Sequence, residues 1–184
     1  MLIDPVGSGF VDHYRTHPSR VTAWDGQALV PWPETTTATG TVWFFQPGQD
    51  GDADSWEGLN GRIEEDGSAT VLGVPAYVHD LNLGDRVSVV ENGDASWVAT
   101  GHVHDAGNDT YRFFLRDAED ESMWRPLSEE FAQRGCLVEV LSPRLVALSS
   151  GRSDSQAVAD RLAFLEAQGV LVYETGRMHR KNPG

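Results

Sequence analysis

Two dipeptides constrain the fold of this chain more than any other feature. Asp66-Gly67 and Asn92-Gly93 each stand between runs in which apolar and polar residues alternate. Such pairs are strong signals of a tight β-hairpin, because the favoured two-residue turns need a positive φ. The flanking runs are LNGRIEE, ATVLGV, DRVSVVE and WVATGHVH, and the strand-like run TVWFFQ precedes them. Residues 40–105 are therefore predicted to form a β meander or a small, partly open barrel.

Residues 106–184 have a different pattern. TYRFFLRD predicts a strand, ESMWRPLSEEFAQR a helix that Gly135 ends, and CLVEVLSPRLVALS two short strands. A second helix follows, in which Val158, Leu162 and Leu165 recur with helical spacing, and VLVYET predicts a last strand. The resulting β-α-β-β-α-β order is that of the ferredoxin-like split βαβ unit. The whole chain is predicted to have an α+β fold.

The first 39 residues do not follow either pattern. Residues 1–39 contain four prolines and end in ETTTAT, a composition that does not sustain regular structure. We therefore interpret 1–39 as an N-terminal extension or arm. Three segments result: the arm, the meander or barrel of 40–105, and the ferredoxin-like unit of 106–184.

Four stretches resemble a known family. They are VPAYVHDLNLGDRVSVV, YRFFLRD, GCLVEVLSPRLVALSS and VLVYETGRM, and together they look like the bacterial family known as domain of unknown function 4265. The resemblance spans about residues 41–178. It implies a bacterial source and supports the element order above, but it adds no catalytic residue, because the family has no established activity. The chain departs from the family in the arm and in the acidic stretch 48–57.

The charge of the chain excludes some classes of function. It carries 28 acidic and 14 basic residues, a formal net charge of −14 at pH 7. Residues 1–100 hold 15 acidic and 4 basic residues, net −11, against 13 and 10, net −3, in residues 101–184. Such a field repels nucleic-acid phosphates and anionic lipid, so neither is an expected partner. A basic protein is the partner that this charge favours.

The cysteine content and the N-terminus indicate a cytoplasmic protein. Cys136 is the only cysteine, so no intramolecular disulfide can form. It follows a predicted helix end and opens an apolar strand, which is the setting of a buried structural thiol. The start of the chain lacks the basic and apolar regions of a signal peptide, and no run of about 18 apolar residues is present.

Three histidines form the best candidate for a metal site. His102 and His104 lie two apart on a predicted strand, so they share one face and could bind one ion, with His79 as a further ligand. However, histidine pairs on a solvent-facing strand are also common without a metal. No third ligand is fixed by spacing, and we expect no cofactor.

Acidic and aromatic residues in polar segments form a candidate surface for a partner. The alternation of Asp50, Asp52 and Asp54 is similar to the start of a calcium loop, but the required Gly and Glu are missing, so a solvated loop is the better interpretation. Tryptophans in such segments are either binding hot spots or anchors that pin the arm onto the barrel. The predicted partner-binding residues are Trp24, Trp32, Asp50, Asp52, Asp54, Trp56 and Glu57.

Three functions remain open. The first is a non-catalytic intracellular binding protein, an acidic antitoxin or immunity-type inhibitor of a basic protein, because no set of catalytic groups is recognisable. The alternative is a small-ligand sensor or regulatory module that acts as a monomer or homodimer. A second alternative is a small metal-dependent enzyme that uses His102 and His104.

Overall fold

The protein has a mixed α+β fold, as the pattern of the sequence predicts. The computed structural model describes residues 13–16, 20–48, 53–93, 95–116 and 122–177. The strands, in chain order, are β1 (His13–Thr16), β2 (Thr22–Trp24), β3 (Leu29–Pro31), β4 (Gly40–Gln46), β5 (Ser55–Ile63), β6 (Ser68–Val71), β7 (Arg86–Glu91), β8 (Ser96–His104), β9 (Asn108–Leu115), β10 (Leu137–Val140), β11 (Leu145–Gly151) and β12 (Leu171–Thr175). The α-helices are α1 (Trp124–Gln133) and α2 (Ser155–Ala167).

Strands β4 to β8 form a closed barrel. Each strand pairs antiparallel with the next along the chain, and β8 returns to pair in parallel with β4. The two predicted hairpin turns lie where expected, with Gly67 and Gly93 at φ values of 77° and 81°. The prediction of a partly open barrel is wrong, because the pairing of β4 with β8 closes the barrel. At the closing pair, a Cβ on Gly40 would lie 2.5 Å from the Ala95 carbonyl oxygen, so only glycine lets β4 approach β8 so closely.

Alternation along the strands fills the barrel with apolar side chains. On β4, Val42 and Phe44 point inward, and Leu59 of β5 faces them. Successive side chains of a strand point to opposite faces, so Trp43 and Phe45 lie on the outer surface. The barrel core is therefore a property of the pattern that predicted the strands.

The second sheet is antiparallel throughout and has the order β12-β9-β11-β10-β2-β3. Helices α1 and α2 cover one of its faces, and Phe131 and Leu162 are fully buried there among the strand side chains. Both helices lie within the predicted ranges. Gly135, at φ 88°, follows α1, and Asp154 is the N-cap residue of α2. Neither helix has the length and continuous apolar character that a transmembrane helix needs.

The described part of the arm contributes strands to both sheets. Strand β1 pairs in parallel with β5 of the barrel, whereas β2 and β3 extend the second sheet beyond β10. Trp24 packs against the helix-covered core of the second sheet, and Trp32 packs against a cluster formed by residues of the second sheet and of the segment between β6 and β7. The expectation that the tryptophans pin the arm onto the barrel is wrong for Trp24, because β2 pairs with β10.

A partly buried carboxylate links the two helices through hydrogen bonds. Glu130 of α1 accepts hydrogen bonds from Arg161 of α2 at 2.7 and 2.9 Å and from Arg134 at 3.1 Å. The hydrogen bonds from Arg161 hold the pKa of Glu130 below its usual value. The folded state therefore favours the ionised form of this carboxylate.

Replacing Glu130 with Gln is expected to lower the free energy of unfolding at neutral pH but not in acid. A carboxylate with a lowered folded pKa adds stability above its unfolded pKa, about 4.3, and this stability is lost as the pH falls through the folded pKa. Urea unfolding from pH 3 to 7 measures the difference between wild type and Glu130→Gln. Glu129→Gln is the control. A difference that persists unchanged at pH 3 would contradict this account.

Candidate functional site

The segment between β6 and β7 is buried between the barrel and the second sheet. Residues 72–85, hereafter the buried connection, link β6 to β7. The strand predicted over ATVLGV ends earlier than expected, at Val71. Leu72, Val74 and Leu83 of this segment are almost fully buried. Connections normally run over the surface, because each buried backbone N–H and C=O group needs a hydrogen-bond partner. The buried connection has no β partner for most of its length, so other groups must supply these hydrogen bonds.

Glu57 of β5 supplies three of them from the barrel side. Its carboxylate accepts hydrogen bonds from the backbone N–H groups of Ala76, Tyr77 and Val78 at 2.7, 3.0 and 2.7 Å. Its side chain is 1% exposed. These three hydrogen bonds offset the cost of burying the carboxylate.

Arg112 of β9 holds the same segment from the side of the second sheet. Its Nε donates to the Pro75 carbonyl oxygen at 3.0 Å, and one NH2 group donates to the carbonyl oxygen of Val78. Its other NH2 group donates to Glu174 at 2.9 Å. The residue is 2% exposed, so a guanidinium and the Glu57 carboxylate lie buried around one four-residue stretch of backbone.

Two further carboxylates hold the ends of the buried connection. Glu139 of β10, fully buried, accepts the Val74 N–H at 2.9 Å near the beginning of the segment. Asp85, 1% exposed, accepts the N–H groups of Asn82 and Ala106 at 2.9 Å each at its end. Both the barrel and the second sheet thus grip this segment through buried charges.

Alternation in the sequence contains a signal for these residues. Glu57 lies two positions before Leu59, on the strand face that fills the barrel. Arg112 lies between the buried Tyr111 and Phe113, and Glu139 lies in the apolar run LVEV. A charged residue at a position that alternation or an apolar run marks as buried needs buried partners. The prediction that Glu57 belongs to a solvated acidic loop is wrong, because β5 begins at Ser55.

A cavity of about 570 Å³ opens where the end of the buried connection meets the second sheet. We call it the junction cleft. Its lining residues come from the buried connection, from β8 and the turn after it, and from the residues that follow β11 and β12. They are Asp80, Asn82, Asp85, His102, Asp105, Arg152 and Arg177.

Charged pairs organise the walls of the junction cleft. The His102 Nε2 atom lies 3.2 Å from Asp85 Oδ2, so a buried carboxylate orients an exposed imidazole. Arg152 donates to both carboxylate oxygens of Asp105 at 3.0 and 2.7 Å, and this contact holds the pKa of Asp105 below its usual value. Arg177 is paired with Asp109.

An apolar groove of about 230 Å³ adjoins the junction cleft. Asp80 and His102 line both cavities. The remaining lining is mainly apolar, and includes Phe44, Val78 and Ala99. Asp80 has a φ of 55°, in the left-handed region, and its N–H donates to the Gly176 carbonyl oxygen at 2.6 Å. Such a backbone conformation in a non-glycine residue is often found at functional positions.

The structure does not bring the three histidines of the predicted metal site together, although His79 and His102 both line the apolar groove. His79 faces the Arg112 guanidinium at 3.5 Å, and His102 faces Asp85. His104 is exposed and lines neither cavity. Within the described ranges, no three His, Cys, Asp or Glu side chains are grouped so that they could hold a metal ion.

The predicted partner-binding residues also fall in different places. Asp50 and Asp52 lie outside the described residues. Asp54 accepts the Gly48 N–H at 2.9 Å and so closes the turn between β4 and β5. Trp56 lies on β5, with its ring centroid 5.0 Å from that of Phe45. Glu57, described above, is in the interior.

Cys136 is buried, as its position in the sequence predicts. Burial raises the pKa of its thiol to about 11. A thiol with so high a pKa is neutral at physiological pH and is a poor nucleophile.

Glu57→Gln is expected to destabilise the protein strongly for a substitution that keeps the shape of the side chain. The amide has one accepting oxygen, so its NH2 group faces at least one buried backbone N–H that loses its partner. The cost is about 2 kcal/mol, equivalent to a fall in Tm of about 4–8 °C. Thermal unfolding measures it, with the exposed Glu65→Gln as the control. Equal melting temperatures for the two variants would show that Glu57 does not hold the buried connection.

Comparison with known proteins places the chain in a family. It is similar in structure to a hypothetical protein from Neisseria gonorrhoeae, known from a crystal structure, with a TM-score of 0.62 and 15% identity over 76% of this chain and 94% of that chain. This likeness concerns the fold alone. No curated protein matches the chain significantly. The model of one family matches residues 57–173, from Glu57 to the middle of β12. The chain therefore belongs to the family described as Domain of unknown function (DUF4265).

Proposed function

We propose that the protein is a non-catalytic small-ligand sensor or regulatory module and that its ligand binds in the junction cleft. The observation that carries the proposal is the position of this cleft. It lies where the barrel, the buried connection and the second sheet meet, and it adjoins the apolar groove. Small-molecule sites combine apolar surface with a few convergent polar groups, and here the adjoining groove supplies the apolar surface and the cleft the polar groups.

The origin of the lining residues supports a regulatory role. His102 belongs to the barrel, whereas Arg152 and Arg177 follow strands of the second sheet. A ligand that contacts all three side chains would bind more tightly to the docked arrangement of the two units than to a separated one. Ligand binding would thereby stabilise that arrangement.

We further propose that the second unit is ferredoxin-like. The order β9-α1-β10-β11-α2-β12 and the antiparallel sheet order β12-β9-β11-β10 support this proposal. Units of this kind can pair through exposed sheet faces or edges. The proposed sensor is therefore compatible with both a monomer and a homodimer. Fold alone does not define a ligand, so the proposed function rests on the junction cleft.

The test is a thermal-shift screen of small metabolites against three forms of the protein. A ligand at 100 times its Kd adds about 2.7 kcal/mol, which raises the Tm by about 5–10 °C. His102→Gln should reduce this shift because the side chain lines both cavities. His104→Gln, two residues further along β8 and outside both cavities, should retain it. A screen without any stabiliser, or a stabiliser equally effective on His102→Gln, would contradict the proposed site.

A second candidate is the acidic antitoxin or immunity-type inhibitor of a basic protein. The observation that favours it is an aromatic pair on the outer barrel surface of a chain with a net charge of −14. Phe45 is 48% exposed, and Trp56 packs against it. Exposed aromatic residues are common anchors at interfaces, and the charge would speed association with a basic partner.

Phe45→Ser is expected to weaken binding to such a partner; because Phe45 also lines the apolar groove, binding of the basic protein itself is the readout that identifies this candidate. Co-purification from the native cell, followed by titration of the basic protein recovered, measures this effect. The control is Val172→Ser, at an exposed apolar position on the second sheet. If wild type recovers no basic protein, or if Phe45→Ser binds it as tightly as wild type does, this candidate is wrong.

A further inference from the structure

We propose that the ligand of the junction cleft is an organic anion: a carboxylate or phosphate head that binds His102, Arg152 and Arg177, on an apolar body that enters the adjoining groove. This inference rests on the proposed function and defines its ligand class. Three observations support it: how exposed each partner of the pairs is, which guanidinium N–H groups of Arg152 and Arg177 are not used in those pairs, and which residues line the groove.

In two of the three pairs at the cleft, the carboxylate is much more buried than its partner side chain. The His102 side chain is 43% exposed, whereas its partner Asp85 is 1% exposed. The Arg177 side chain is 56% exposed and Asp109 only 15%. In these two pairs the carboxylate lies behind the imidazole or the guanidinium, so it orients that group and presents it to the cleft. A ligand entering the cleft therefore meets an imidazole and a guanidinium before it meets their carboxylates.

Arg152 adds a second guanidinium to the same cavity. Its side chain is 52% exposed, and the nitrogen that contacts Asp105 is one NH2 group. Arg177 likewise uses one NH2 group toward Asp109. Among the described residues, the other guanidinium nitrogens of both side chains make no hydrogen bond. A guanidinium offers five N–H donors in a planar fork that suits carboxylate and phosphate oxygens, so each arginine retains donors for a ligand.

Carboxylates also line the cleft and limit where an anion can bind. Asp105 directs both of its oxygens at Arg152, and Asp85 is covered by His102. Asp80 is exposed at the boundary between the cleft and the groove. The head of the ligand is thus expected on the side of the two arginines, with its body crossing beside Asp80 into the groove. Removing the charge of Asp80 should then strengthen binding.

The groove sets the rest of the ligand. Apart from His79, Asp80 and His102, its lining consists of Phe44, Phe45, Val78, Leu81, Val87, Ala99 and Gly101. Its volume of about 230 Å³ accommodates a short alkyl chain or one ring. Each additional methylene buried there should lower the Kd up to about fourfold, so affinity should increase with chain length.

The experiment compares four probes that share one body and differ in the head: hexanoate, hexyl phosphate, hexylamine and hexanol. Binding is followed through the backbone amide NMR signals of Gly101 and Gly107, which flank His102 and Asp105. Hexanoate or hexyl phosphate should shift these signals at concentrations at least about tenfold lower than hexylamine or hexanol, because hydrogen bonds to charged groups are the stronger ones. The ratio between the two anions distinguishes a carboxylate from a phosphate ligand. Affinity should increase from acetate to butyrate to hexanoate.

Variants test the assigned side chains. Arg152→Gln and Arg177→Gln should each weaken binding of the anion about tenfold. Arg62→Gln removes an ion-paired arginine outside the cleft and should leave the affinity unchanged. Asp80→Asn should strengthen binding, and Asn tolerates the left-handed backbone at this position.

The outcomes separate the ligand class from the proposed function. If hexylamine or hexanol binds best and shifts the same two amides, the cleft is a ligand site but the anion is wrong. If the anions bind best and neither arginine substitution weakens them, the assigned head-group contacts are wrong. If none of the probes shifts these amides and the metabolite screen is also empty, both proposals are overturned.

Discussion

A buried stretch of chain without a strand partner is the constraint on which this structure depends. Residues 72–85 run between a closed barrel and a second sheet, and most of them are buried, so their backbone groups need partners within the protein. Glu57 accepts three N–H groups of this segment, Arg112 donates to two of its carbonyl oxygens, and Glu139 accepts a further N–H. A buried charge is costly unless it is fully hydrogen-bonded, and a buried backbone group is costly for the same reason. Here the buried charged side chains and the buried backbone groups are each other's hydrogen-bond partners. These hydrogen bonds fix how the barrel and the second sheet are docked.

The same segment connects the fold to the candidate site. After the stretch held by Glu57 and Arg112, it continues to Asp80 and Asp85, which line the junction cleft. Asp85 both terminates the segment through backbone hydrogen bonds and orients His102. His102, one of the groups that we propose to receive a ligand, is therefore positioned by the element that docks the two units. This arrangement explains why the cleft lies at the junction, and why we propose binding and regulation in place of catalysis.

The sequence predicted what local chemistry determines. The Asp-Gly and Asn-Gly turns, the alternation on β4 and the helical spacing of Val158, Leu162 and Leu165 identified most strands and both helices, since each depends on neighbours within a few residues. The buried connection was missed because its partners lie far away in the sequence: Glu57 is 19 residues from Ala76, and Glu139 is 65 from Val74. The junction cleft was missed for the same reason. Of its lining residues, His102 was assigned to a candidate site from the sequence, but it was paired with His104 on the same strand rather than with Asp85.

Native-state hydrogen exchange of the Ala76, Tyr77 and Val78 amides tests this account most directly. All three donate to the Glu57 carboxylate, so they should exchange only when the whole protein unfolds, with the same free energy as the slowest amides of β9 and β11. An ordinary connection between strands would show little protection. If these three amides exchange within about tenfold of the rate of an unprotected chain, the buried charges do not hold the connection, and the central claim is wrong.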